Sequence, residues 1–214
     1  IKGFAARLYP EALAELRRNP MVDFIEKDQE VSLNATVTNV PSWGIDRIDQ
    51  ANLPLTYSFT YFNSGLGVKA YVIDTGILLS HSEFGGRAIG GFSAINTATD
   101  WIDANGHGTH VAGTIGGLNY GVARDVTLVA VRVLDANGSG TNSGVIAGIN
   151  WAISDHLPGE PAVANMSLGG GASSALDLAV ENAINDGIVM CVAAGNNAAD
   201  AGRYSPASVK NAIT

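Results

Sequence analysis

The sequence predicts an α/β fold: a doubly wound, mostly parallel sheet with helices on both faces, preceded by a small α+β unit. Three observations carry this. From residue 68 to residue 194, short apolar runs alternate with longer segments of helical periodicity. The runs are nearly continuous in apolar character, as strands covered on both faces require. Charge density also changes near residue 34: the first 34 residues hold 5 basic and 6 acidic side chains, and the remaining 180 hold only 21 charges.

The first unit reads strand, helix, strand. GFAARL is a short alternating run. Pro10 suits a first helical turn, Ala12, Leu13 and Leu16 make one helix face, and Asn19-Pro20 stops it. VDFIE is the second expected strand. A charged unit of this size buries little core alone and needs something to dock on.

After a loop around NVPSWG, VKAYVID (68–74) reads as a buried strand and 107–117 as a helix of small residues. TLVAVRVL (127–134) is a strand. Residues 143–154 form a helix with Val145, Ile149 and Trp151 or Ala152 inward. AVANMSL (162–168) is a strand. Residues 173–186 form an amphipathic helix with Leu176, Val180 and Ile184 at i, i+4, i+8. IVMCVAA (188–194) is a strand, and SPASVKNAIT reads as the start of another. In such sheets functional groups gather at the carboxyl ends of the strands. The first and last residues read as cut edges of a longer precursor.

Composition narrows the function classes. Apolar content is 46% and charged content 15%, which describes a well-packed globular chain. The net charge of −8 argues against nucleic acid or an anionic membrane as partner. No apolar run reaches the ~18 residues of a membrane-spanning helix. Cys191 is the only cysteine, so no intrachain disulfide forms. It reads as a small apolar residue of its strand. Glycine is abundant, 26 of 214 residues, which signals many turns or close backbone approaches.

The chemistry concentrates in two stretches. Asp74 ends the apolar strand of YVIDTG, where a carboxylate is poorly solvated and needs donors. His107 follows Asn-Gly in NGHGTHVAGTIGG (105–117) and starts a helix. The positive end of a helix disfavours an imidazolium and a carboxylate favours it, a balance suited to a general base. A metal reading fails on spacing, since HxxH is too short for the i, i+4 pair of HExxH. His110 is expected to pack or bond locally. DTG also occurs in aspartic proteases, which need two carboxylates sharing a proton. One DTG would require a dimer and leaves the histidines unexplained. AAGNN places the Asn196 amide at a strand's carboxyl end, where an oxyanion needs a donor.

YVIDTG, NGHGTHVAGTIGG, VLDANGSGT, ANMSLGGG and VAAGNN occur in the order found in the subtilisin-like serine proteases. The match is similar to the proteinase K branch, especially its aqualysin-like members, and covers nearly the whole chain. The resemblance implies that His107 is the base, that Asp74 orients it and that Asn196 donates to the oxyanion. It makes residues 1–34 the end of an inhibitory propeptide and 35–214 the first part of the catalytic domain. It also implies a nucleophilic serine in a Gly-Thr-Ser-Met-Ala-type motif after Asn196. No such motif occurs before Thr214, so these 214 residues alone are expected to be inactive. Ser167 resembles part of the substrate wall, and Ser205 part of the loop after Asn196.

The resemblance assigns substrate backbone pairing to Gly138, Ser139 and Gly140 on one edge, and to Ser167, Leu168, Gly169 and Gly170 on the other. Ala193, Ala194 and Gly195 would line the pocket for the residue before the cut. Asp46, Asp49 and Gln50 resemble a structural Ca²⁺ site, and oxygen donors suit that ion. Cysteines frequent in that branch are missing here: Val111 follows the HGTH run, and Ala104, Ala136 and Gly202 stand at other such positions. The implied protein is a secreted, extracellular, monomeric endopeptidase of broad specificity. It acts on protein and peptide substrates, its own propeptide is a partner, and neither nucleic acid nor membrane is. Two rival readings are a catalytically inactive peptide-binding relative and a dimeric aspartic protease.

Overall fold

The computed structural model describes residues 3–26, 35–96 and 100–214. The chain divides into two compact units, Ile1–Leu33 and Asn34–Thr214.

In the first unit the described residues form one helix, α1 (Pro10–Arg18), with Pro10 in its first turn and Asn19 at its end. Ala12, Leu13 and Leu16 are its most shielded residues, as their spacing predicts. The two expected strands are not there: neither GFAARL nor VDFIE pairs with anything within 3–26. A strand needs a ladder partner and a face to bury. Phe4 and Phe24, which would supply that face, are 76% and 67% exposed.

The second unit begins with a small antiparallel sheet of β1 (Ala35–Thr38) and β2 (Ser58–Tyr61), which packs on a short helix, α2 (Trp43–Ile48). Ser42 caps α2 by accepting from the Gly44 N–H. These three elements carry too few residues for a periodic signal, and the sequence predicts no more here than a loop around NVPSWG.

The central sheet has five parallel strands: β3 (Lys69–Asp74), β4 (Ala88–Ser93), β5 (Thr127–Arg132), β6 (Ala162–Met166) and β8 (Ile188–Val192). Their order is β4-β5-β3-β6-β8. Strand side chains alternate between faces. Tyr71 and Ile73 of β3 enter one core with α4 (Asn142–Asp155) and α5 (Ser174–Asp186), and Ala70 and Val72 enter another under α3 (His107–Gly116). Burial on both sides explains why β3 and β5 read as unbroken apolar runs. The sheet is thus covered on both faces, as expected, but unevenly. Val189 of β8, on the α3 face, is 47% exposed.

β4 is the strand the sequence reading missed. Its Gly90-Gly91 pair breaks the apolar run, yet the glycines serve packing. A Cβ at Gly90 would strike the Trp101 ring, and one at Gly91 the Trp151 ring. In α4, Ala152 is buried and Trp151 half-buried, so Ala152 is the inward residue of the two that were open. The expected last strand reduces to a single parallel bridge of Ile213 to Cys191; 206–212 is mostly turn. A short antiparallel pair, β7 (Gly170–Gly171) with β9 (Tyr204–Ser205), completes the unit.

Candidate active site

The carboxyl end of β3 delivers Asp74 to the start of α3. The Asp74 side chain is fully buried, and its Oδ1 accepts from Thr75 N–H at 2.7 Å. The same oxygen lies 2.7 Å from His107 Nδ1. His107 is the first residue of α3 and its ring is 49% exposed. A proton on Nδ1 pointing at a carboxylate leaves Nε2, in the neutral ring, free to accept another. Helix and strand meet this closely because residue 108 is glycine. A Cβ there would collide with the Gly76 carbonyl.

Asp103, which the sequence reading did not single out, organises the loop between them. Its Oδ1 accepts from Asn105 N, Gly106 N and Thr75 Oγ1, and its Oδ2 from Thr109 N and Thr109 Oγ1, at 2.6 to 2.9 Å. Burial pushes this carboxyl up. The donors from Gly106, Thr109 and Asn105 outweigh that and hold it below the usual carboxylate range. The available signal was DANG, an acidic residue just before a turn dipeptide, whose side chain closes on backbone N–H groups further on.

His110 does not pack as expected. It is exposed, one turn from His107 on the same side of α3, and its side chain makes no hydrogen bond among the described residues.

A cleft of about 570 Å³ brings His107 together with both predicted glycine edges, Gly138-Ser139-Gly140 and Ser167-Leu168-Gly169-Gly170. Asp135 shapes the first edge. Its carboxylate accepts from Ser139 N and Asn137 N, and those donors, Ser139 first, hold its carboxyl below the usual range. Asn105 Nδ2 donates to the Ala136 carbonyl, tying this edge to the loop before His107. The second edge follows β6, and its Gly170 backbone is already paired with Ser205 of β9. A smaller recess of about 280 Å³ adjoins it, lined by Ala193, Ala194, Gly195 and Asn196 together with Ser167 and Gly169. Asn196 is exposed on the loop after β8. Ser205 is buried and bonded to the backbone of Ser173, and Ser167 Oγ accepts from Asn165. A groove of about 680 Å³, larger than the cleft, contains neither His107 nor a glycine edge. It is mainly apolar, with Ile45, Ile48, Leu78 and Phe84 among its walls, so size does not mark the chemistry here.

Asp46, Asp49 and Gln50 lie on and just after α2. Asp46 is buried and accepts from Thr56 N, Thr56 Oγ1 and Tyr57 N. Gln50 Oε1 also faces Thr56 Oγ1, at 3.2 Å, and Ser58 Oγ is 2.8 Å from that hydroxyl. Asp49 Oδ2 accepts from Thr60 N. Asp46, Gln50, Thr56 and Ser58 thus bring together oxygens of the kind Ca²⁺ takes, with Asp46 the single carboxylate among them. Among the described residues, no three His, Cys, Asp or Glu side chains gather as a metal site.

Comparison with known proteins bears on this geometry. Residues 65–214 match the profile described as "Subtilase family". The chain belongs to the subtilase family. Residues 1–34 match a second profile, "Peptidase inhibitor I9". The subtilase chain is 58% identical over 214 residues to the "Extracellular serine proteinase" of Thermus sp. (strain Rt41A), covering all of this chain and 52% of that protein. It is 52% identical over 219 residues to the "Alkaline serine exoprotease A" of Vibrio alginolyticus, covering all of this chain and 41% of that one. Among solved structures it resembles the crystal structure of "a cold adapted subtilisin-like serine proteinase", with a TM-score of 0.79 and 54% identity. That match covers 83% of this chain and 64% of the other. The subtilase chain spans about half the length of the curated relatives it matches. No helix among the described residues is long and apolar enough to cross a membrane.

Proposed function

We propose that this chain is part of a secreted subtilisin-like serine endopeptidase of broad specificity. One observation carries the reading: a buried carboxylate 2.7 Å from the Nδ1 of a half-exposed histidine, in a cleft flanked by two glycine edges. Asp74 holds the ring in the tautomer with a bare Nε2. His107 Nε2 removes the proton from a serine hydroxyl, and the oxygen attacks the peptide carbonyl. Asn196 donates to the resulting oxyanion. The imidazolium then protonates the leaving amine, and water repeats the sequence on the acyl-enzyme. The serine is expected beyond Asn196 in the longer protein, and residues 1–214 alone are expected to be inactive. The engagement of Ser205 with Ser173 supports this.

Backbone pairing along Gly138, Ser139, Gly140 and Ser167 to Gly170 gives affinity with little sequence selectivity. The recess at Ala193, Ala194 and Gly195 takes the side chain before the cut. Residues 1–34 act as the end of an inhibitory propeptide, and cleavage before Ala35 starts the mature enzyme, a monomer. As the end of such a propeptide, Val31 to Asn34 are expected to lie extended beside the two glycine edges; they fall outside the described residues. A structural Ca²⁺ would be held by Asp46, Asp49 and Gln50, and would fasten the loop after α2. The aspartic-protease reading gives His107 no role, although Asp74 is bonded to it. The test is labelling of the full-length protein by a serine-directed phosphonate. The expected result is one labelled serine downstream of Asn196, with labelling lost in His107→Ala. Activity blocked by pepstatin-type inhibitors and untouched by the phosphonate would overturn the proposal.

A further inference from the structure

α3 begins without a cap from its own N-cap position, because Gly106 has no side chain to offer. Asp103 supplies the missing acceptor from three residues further back. Its carboxylate takes the Gly106 and Thr109 N–H groups directly, on either side of His107. It also reaches the strand. Thr75 Oγ1 donates to Asp103 Oδ1 at 2.8 Å and accepts the Gly108 N–H at 2.9 Å. Thr109 Oγ1 donates to Oδ2 and accepts the Leu78 N–H at 2.9 Å. Thr75 in turn gives its N–H to Asp74 Oδ1. The backbone on both sides of His107 and the residue after Asp74 are therefore tied to one carboxylate that touches neither side chain of the pair.

We infer that Asp103 is a positioning residue for the Asp74–His107 pair: with Thr75 as its relay, it sets the spacing and ring orientation on which proton transfer by His107 depends. The inference rests on the protease reading above. Its physical basis is that the pair is held by one short hydrogen bond between two elements separated by 33 positions in the chain. A displacement of about 1 Å in such an arrangement costs up to roughly 10²-fold in rate. Asp103→Asn keeps the volume but turns one acceptor oxygen into a donor, facing N–H and O–H groups that already donate. Thr75→Val keeps the shape of a residue only 1% exposed and removes the hydroxyl relay.

The experiment uses the full-length protein and four single variants: Asp103→Asn, Thr75→Val, Thr75→Ser and His107→Ala. Steady-state kinetics are measured well below melting, with an NMR titration of the His107 ring protons alongside. Asp103→Asn and Thr75→Val are each expected to lower kcat by about 10- to 100-fold with KM within about twofold, and to move the His107 titration. Thr75→Ser, which keeps the hydroxyl, recovers most of the Thr75→Val loss. The double variant of Asp103→Asn with Thr75→Val loses less than the product of the two single losses, because both act through one network. Lowered melting temperature with unchanged kcat and an unchanged His107 titration would make Asp103 a helix cap only and overturn the inference. If Asp103→Asn fails to fold, the Thr75 pair decides on the same criteria. An active His107→Ala would instead bring down the protease reading itself, which separates the two failures.

Discussion

Two histidine–aspartate pairs sit at opposite ends of the same sheet. At the carboxyl end, His107 Nδ1 meets Asp74 Oδ1 at 2.7 Å; at the amino end, His156 Nδ1 meets Asp186 Oδ2 at 2.7 Å. Their surroundings are inverted. In the first the carboxylate is fully buried and the imidazole 49% exposed, while in the second the imidazole is 3% exposed and the carboxylate 35%. The second nitrogen differs as well. His156 Nε2 donates to the Glu160 carbonyl at 2.8 Å while Nδ1 faces the Asp186 carboxylate, an arrangement of two acceptors that favours the imidazolium. Asp186, then the Glu160 carbonyl, raise its pKa above the usual histidine range against the opposing effect of burial. His107 uses one nitrogen and leaves the other facing the cleft. Equal hydrogen bonds therefore support opposite roles: one ring is a clasp between the ends of α4 and α5, and the other can cycle a proton.

The strongest way to break this comparison is to remove each ring. In the full-length enzyme, His107→Ala is expected to lower proteolysis by roughly 10⁴-fold or more and to stop propeptide removal, with the fold intact. His156→Ala is expected to lower the melting temperature and leave kcat near the parent's at temperatures where it is folded. Normal self-processing by the His107 variant, or loss of kcat in the folded His156 variant, would erase the distinction. Asn196→Ala tests the proposed oxyanion donor, which lines the recess beside the cleft. A fall of about 10²–10³ in kcat with little change in KM is expected, since the oxyanion donor acts mainly in the transition state. A pure KM effect would assign Asn196 to ground-state binding instead.

The clasp makes a smaller, pH-dependent prediction. A histidine whose folded pKa is raised contributes stability that is fully present below its ordinary value and is lost as pH rises through the raised value. Asp155, Glu160, Lys69 and Tyr71 lie in the same cluster. Lys69 Nζ is 3.1 Å from the carboxylates of Asp155 and Glu160, and burial, then the hydrogen bond to Asp155, pushes the Tyr71 phenol far up. Asp186→Asn should lower the melting temperature near pH 6 by about 2–6 °C. This corresponds to one charged hydrogen bond in a domain of this size, discounted for the exposure of Asp186. The deficit should shrink in alkaline buffer. A pH-independent deficit would show that the ring is not the titrating group. The smallest effect expected is that of calcium. Chelator should lower the melting temperature of the parent, and Asp49→Ala should remove part of that response, because an ion bound only to the native state stabilises it by mass action. An unchanged response in the variant would take Asp49 out of the ligand set.

Features that depend on near neighbours along the chain were legible in the residues alone. Unbroken apolar runs made β3, β5 and β8 legible, and the i, i+4, i+8 spacing of Leu176, Val180 and Ile184 made α5 legible. The stretches holding Asp74, His107 and the glycine edges each carried a local signature. Features that depend on partners far along the chain were set by folding. GFAARL and VDFIE alternate like strands, yet alternation alone supplies no ladder. AIGGFS carries no unbroken apolar run, yet β5 beside it and the rings of Trp101 and Trp151 make it β4. Asp103 became the hub of the site because folding carries Thr75, 28 positions away, to its carboxylate. His156 and Asp186 are 30 positions apart and His107 and Asp74 are 33, a nearly equal separation. Sequence distance does not tell these pairs apart. Their difference lies in which end of the strands each occupies and which atoms shield it, and desolvation is set by neighbours in space rather than neighbours in the chain.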